Sequence, residues 1–289
     1  MATSIPFIDA HHHLWDLDTF SPSWLAADAP GNSLIDDYSP IQKPYEITDL
    51  LRDFEGSKVI KSVHIQTGYS DIDPTSETAW LQSIADKHGF PHGIIAYADL
   101  TSENVASDLE THLEHPNMRG VRNLVEPAEL LAPAFDHGLS VLEDMNLVYD
   151  LSVTWEGMEI AKQVASAHPN LQFVLGHTGM PIGRSDEYFE RWSGGLDLLS
   201  QAPNVAIKIS GLGLADHNWS VDSIRPYVLK TIESFGVDQC MFGTNWPVDK
   251  LFSSYRMLID AYRSIVSTFS SDEQNALLWE NAERHYRLA

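Results

Sequence analysis

The chain has 289 residues, 43% of them hydrophobic and 20% charged, with a formal net charge of −23. That balance excludes a nucleic-acid partner and an anionic membrane surface, since both need a basic footprint; a small anionic substrate stays open, because a few local arginines outweigh a distant field. The single cysteine, Cys240, precludes an internal disulfide, "MATSIPFIDA" lacks the features of a signal peptide, and no apolar stretch approaches membrane-spanning length, so a cytoplasmic protein is expected.

The first predicted element, "FIDAHHHLW" from Phe7, holds three consecutive histidines. Phe7, Ile8, Leu14 and Trp15 frame them as a buried strand and not as a terminal tag. Side chains alternate along a strand, which turns His11 and His13 to one face and His12 to the other. Residues Leu17 to Tyr45, rich in Pro, Ser and Asp, read as a lid or side excursion over a barrel mouth. Strands follow at "KSVHIQT" from Lys61, "GIIAYADL" from Gly93, "RGVRNLV" from Arg119 and "LVYDLSVTW" from Leu147. The last three are "QFVLGHT" from Gln172, "VAIKISGL" from Val205 and "QCMFGTN" from Gln239. Helical patterning lies between them, notably in segments 75–87, 102–113, 134–145, 158–167, 222–235 and 255–269. Eight strands alternating with helices predict one (β/α)8 TIM barrel over residues 1–289. No G-x-G-x-x-G follows the first strand, which disfavours a doubly wound sheet. The final "SDEQNALLWENAERHYRL" predicts a C-terminal helix closing the wall.

In such a barrel the active site lies at the C-terminal ends of the strands. The polar residues falling there are His11, His13, His64, Gln66, Asp99, Arg122, Trp155, Glu156, His177, Lys208, Ser210, Asn245 and Asp249. Gln66 and Tyr69 read as substrate contacts, as do Trp155 and Glu156, with Trp155 and Trp246 able to wall an apolar pocket. Arg122 lies in an apolar strand and needs an anionic partner, either Asp99 or Glu156 or the substrate. Lys208, between Ile207 and Ile209, reads as half of an internal ion pair. A serine nucleophile is rejected, because no G-x-S-x-G is present and Ser210 has no strand-to-helix elbow. Cys240 begins its strand at the wrong end.

His11-x-His13 on the first strand, "GHTGMP" around His177 and "MFGTNWPVD" from Met241 together resemble the amidohydrolase superfamily. Within it, they are similar to the TIM-barrel branch that includes sugar-lactone and dicarboxylate-lactone hydrolases, with decarboxylases of aromatic acids as more distant cousins. The resemblance implies that His11 and His13 hold a divalent metal, zinc or manganese, where one is present. It implies that His177 faces the reacting carbonyl or joins them as a ligand. The eighth-strand position, an aspartate in most relatives, is Asn245 here. An aspartate can take a proton from water or bind a metal as an anion; an asparagine amide cannot act as that base. Three readings follow: Asp249 brings in the carboxylate, His177 is the base, or the site has given up water activation. The leading expectation is a hydrolase that opens a lactone bearing hydroxyl or carboxylate groups. The alternatives are a metal-dependent decarboxylase of an aromatic or unsaturated acid, and a barrel that binds its ligand without turnover. A homo-oligomer is left open, with Trp24 and Trp219 as aromatics that would permit an interface.

Overall fold

The computed structural model of the protein describes residues 5–19, 22–26, 29, 34–68 and 73–288. Eight parallel strands pair in chain order: β1 (Phe7–His12), β2 (Val59–Ile65), β3 (Gly93–Ala96), β4 (Met118–Val121), β5 (Val148–Leu151), β6 (Gln172–Leu175), β7 (Val205–Ile209) and β8 (Cys240–Phe242). The helices wrapped around them are α1 (Ile47–Phe54), α2 (Pro74–His88), α3 (Val105–Leu113), α4 (Pro133–Asp144), α5 (Met158–Ala167), α6 (Asp186–Leu199), α7 (Val221–Phe235) and α8 (Tyr255–Val266). The expected TIM barrel is therefore the fold.

Alternation sorts the strand residues into two cores. Phe7, Tyr149, Phe173 and Phe242 point outward beneath the helices, while Ile8, Val63, Ile95, Val148, Val174, Ala206 and Met241 fill the interior. The narrow interior takes the aliphatic residues and the wider outer layer takes the aromatics. Helices α1 and α6 add to those the sequence predicts. Gly194 and Gly195 argue against a helix in α6, but a Cβ at Gly195 would meet Met158 Sδ at 2.8 Å, so close packing on α5 needs the glycine.

The C-terminal segment departs from expectation. It forms α9 (Ser271–Asn275), a π-helical turn (Ala276–Glu280) and α10 (Asn281–Tyr286). Ala282, Tyr286 and Leu288 pack on Ile8, Val63 and Val148 inside the barrel. Asn281 Nδ2 donates to the carbonyl of Cys240, at the start of β8, at 2.7 Å. The segment is the floor of the barrel and not another part of its wall.

Beneath the aromatic end of β1, strict alternation from Ile8 and Ala10, both inward, would turn His12 inward as well. The β1–β2 register shifts between Asp9 and His12, and the phase reverses. His12 Nε2 then meets Ser62 Oγ at 2.9 Å behind the sheet, and His11 and His13 face the mouth. The described part of the 17–45 excursion crosses that mouth. Trp15 and Tyr45 bridge its two ends, Trp24 Nε1 donates to Thr67 O beyond β2 at 2.7 Å, and His217 Nε2 donates to Leu34 O at 2.8 Å from the loop after β7. Trp219 is buried and the Trp24 indole is spent on Thr67, so neither is the free aromatic the sequence suggests.

Asp9 closes the seam between β1 and β8. Its Oδ1 accepts from Thr244 N at 2.9 Å and His11 N at 3.2 Å, and its Oδ2 from Thr244 Oγ1 at 2.6 Å and Tyr255 OH at 3.0 Å. Asp9→Ala strands these donors in a dry seam and should lower stability by about 3 kcal/mol or more, read by urea unfolding. A loss under about 1 kcal/mol would contradict this role.

Candidate active site

The histidines of β1 meet at the C-terminal mouth. His13 Nδ1 lies 2.7 Å from the carbonyl oxygen of Ile65, which can only accept, so Nδ1 carries the proton and Nε2 a bare lone pair. His11 Nε2 lies 3.3 Å from His13 Nε2 and donates to it, which leaves His11 Nδ1 as a buried acceptor with no partner among the described residues. The His177 ring stands over that of His11, with centroids 4.4 Å apart.

His177 is set by an unusual local backbone. His177, Thr178 and Met180 all have positive φ, between 49° and 53°, and so does Asn245 at 57°. Non-glycine residues in that region cost about 1–3 kcal/mol each and persist only where their surroundings dictate them. Here Trp192 of α6, fully buried, donates from Nε1 to Thr178 O at 2.7 Å and pins the turn. Gly211 stands against the ring: a Cβ there would sit 2.6 Å from His177 Nδ1. Side-chain Oγ of Ser210 lies 2.9 Å from the same Nδ1.

Beneath the imidazoles lies buried charge. Lys208 Nζ pairs with Asp150 Oδ2, both fully buried, and Tyr286 OH rises from the floor to the same oxygen at 3.2 Å. Lys208 is thus the internal ion pair its strand pattern suggests. Arg122 donates from Nη2 to Gln66 O, and its buried Nε has no partner among the described residues. Neither Asp99 nor Glu156 pairs with it; the nearby carboxylates are Asp150 and Glu77. Glu77 is itself held by Thr67 N at 3.1 Å and Thr67 Oγ1 at 2.6 Å, and burial raises it to about 7.

Burial and these charges together keep the histidines neutral. Burial first, then the Lys208 and Arg122 cations, lower His177 to about 3. Burial with Lys208 lowers His11, and burial with Arg122 lowers His13, well below the usual imidazole value. All three are neutral at physiological pH. The opposite holds at Asp249. It is almost fully buried, its Oδ2 accepts from Asn245 Nδ2 at 2.7 Å, and burial raises it to about 7. Asp249 Oδ1 lies against Gly213, two residues beyond the Gly211 that supports His177. His177 and Asp249 therefore flank one turn.

Not every expected residue joins this cluster. The Trp155 ring packs on α6 near Gly195 and under the Arg191 guanidinium at 5.8 Å, and Glu156 is exposed beside Tyr188. Trp246 Nε1 donates to Asp53 at 2.7 Å in the core. Tyr69 lies outside the described residues. Gln66 is at the mouth, its Oε1 buried with no partner among the described residues. Asp150 and Glu77 join the site although neither falls at a strand end or in a recognised motif. An acidic residue inside "VYDL", matched to the lysine of "AIKI" two strands on, was the available signal for Asp150.

A metal fits this donor set only in part. Two imidazole nitrogens 3.3 Å apart match two ligands of one tetrahedral zinc, with Zn–N about 2.0–2.1 Å. Among the described residues, however, no group of three or more His, Cys, Asp or Glu is arranged to hold a metal ion. Asn245 supplies an amide where an anionic ligand would stand, and Lys208 and Arg122 oppose a further cation.

The amidohydrolase profile matches residues 8–288, and the chain belongs to that family. It is accordingly an enzyme of the hydrolase class. It is 42% identical to protein y4mH of Sinorhizobium fredii, over 99% of this chain and 100% of that one. It is 25% identical to the L-fucono-1,5-lactonase of Burkholderia ambifaria, over 84% of this chain and 81% of that one. The solved structure of an amidohydrolase from Burkholderia multivorans with bound zinc superposes with a TM-score of 0.85 at 24% identity, covering 98% of this chain and 100% of that one. Among the described residues no helix is long and apolar enough to cross a membrane.

Removing half of the buried pair tests the electrostatic base of the site. Lys208→Met should cost about 3–5 kcal/mol, because Asp150 is left charged and buried. Lys208→Met combined with Asp150→Leu should recover most of it. Urea unfolding of both variants checks this, and equal losses in the two would contradict it.

Proposed function

We propose that the protein hydrolyses a lactone of a small hydroxylated or carboxylated molecule. The observation that carries this reading is a neutral imidazole packed against Gly211 and a carboxyl group raised to about 7 packed against Gly213, at two points of the turn after β7. Titratable groups pushed apart in this way take separate roles. His177, neutral, donates a hydrogen bond to the lactone carbonyl. Asp249, ionised above about pH 7, takes the proton from the attacking water, in place of the aspartate that Asn245 replaces. Water adds to the carbonyl carbon, the ring C–O bond breaks, the proton taken by Asp249 passes to the departing ring oxygen, and a hydroxy acid leaves. The Lys208 and Arg122 cations favour the oxyanion that develops, because charge in a dry site acts over a low dielectric. Arg122 Nε and Gln66 Oε1, both unpartnered among the described residues, offer a donor and an acceptor to the polar end of the substrate. An ester carbonyl is more reactive than an amide, which suits a site without a complete metal set. The lactonase name of the Burkholderia ambifaria relative supports the same class of substrate.

A panel of five- and six-membered sugar lactones and dicarboxylate lactones, followed by acid release, tests the reading. Turnover should appear on at least one lactone and fall by about 10²–10⁴ in His177→Ala and in Asp249→Asn. Folded protein with no turnover on any lactone would sink it, and carbon dioxide release from an aromatic acid would favour the decarboxylase instead. The sign of the pH dependence also follows. A base raised to about 7 works only when deprotonated, so kcat/KM should climb through about pH 7 and lose that limb in Asp249→Asn.

A further inference from the structure

We propose that Ser210 is a positioning residue that locks His177 in the tautomer with its proton on Nε2. The inference rests on the reading above that His177 faces the carbonyl. Ser210 is fully buried, and among the described residues the only partner of its hydroxyl is His177 Nδ1, at 2.9 Å. Two arrangements satisfy that distance. In one, Nδ1–H donates to Oγ, and the serine hydrogen is left with no acceptor in a dry place. In the other, the serine O–H donates to a bare Nδ1, and the ring proton lies on Nε2 of a residue that is only half-buried, not in the dry place behind it. A buried donor without an acceptor costs more than an unused lone pair, so the second arrangement wins.

Gly211 packs the ring against Ser210 and favours that outcome. Its φ of +64° places the backbone so close to the ring that even a Cβ would stand 2.6 Å from Nδ1 and 2.9 Å from Cγ. Nδ1 therefore has the Ser210 hydroxyl on one side and the Gly211 backbone packed against the ring on another. The proton of the neutral ring lies on Nε2, which has no hydrogen-bond partner among the described residues. His177 is thereby a hydrogen-bond donor to the substrate. It is neither a base nor a metal ligand, since both roles need a lone pair on Nε2.

The tautomer can be read without any substrate, from the 15N shifts and couplings of histidine-labelled protein. The His177 signal should show a protonated Nε2 and a bare Nδ1 in the wild type. In Ser210→Ala that preference should weaken, and with an active lactone kcat should fall roughly tenfold, the worth of one neutral hydrogen bond, with KM little changed. Ser210→Thr, which keeps the hydroxyl, should restore both. A wild-type His177 protonated on Nδ1 overturns the proposal, whatever the substrate proves to be. So does a Ser210→Ala protein with unchanged tautomer and unchanged kcat. Failure of the lactone panel alone, with the Nε2 tautomer in place, counts against the lactonase reading and not against the lock.

Discussion

The site depends on a lysine held inside the barrel. Lys208 is fully buried and is kept charged by Asp150, which in turn accepts from Tyr286. Isolated charge in such a place would neutralise, because desolvation of an ion costs several kcal/mol. The floor helix supplies the phenol, β5 the carboxylate and β7 the ammonium, so three elements far apart in sequence must be in place together. Arg122 adds a second cation, which donates to the Gln66 carbonyl with Asp150 and Glu77 nearby. The mouth is locally positive in a chain whose net charge is −23.

Burial first, and that local sign second, decide what the histidines can do. An imidazole with an ordinary titration would serve as a base; one pressed down to about 3 serves as a neutral donor. The same sign makes an anionic transition state welcome and a further cation unwelcome. It also gives meaning to the departure at Asn245. Asn245 directs its amide at Asp249, so the carboxylate sits four residues further along the chain, buried and poised near neutrality. The positive φ values at His177, Thr178, Met180 and Asn245 gather at the ends of β6 and β8, where strain is worth keeping only if it aims a side chain.

Much of the fold was legible, because a barrel repeats one pattern eight times and each strand is apolar between turn signals. The His11 and His13 pairing was legible from period two, although the register shift in β1 that produces it was not. Lys208 could be read as paired from its apolar neighbours, but its partner could not, since Asp150 lies on another strand. The floor was mistaken for wall because amphipathic spacing states that a helix buries one face and not which surface it covers. Trp155 and Glu156 follow a strand end in sequence yet turn toward α6, since the short helical turn at 155–157 carries them away from the mouth. The role of Ser210 depends on a single distance across two strands, and no local pattern encodes it.

The measurement that bears most directly on this account is a pH titration of the mouth histidines by NMR, with His11, His13 and His177 assigned by substitution. Held down by burial and by Lys208 and Arg122, all three should stay neutral from pH 5 to pH 9 (roughly the span in which a free imidazole titrates). A midpoint near the ordinary value of about 6.5 at His177 would contradict it, and would return that residue to the role of base.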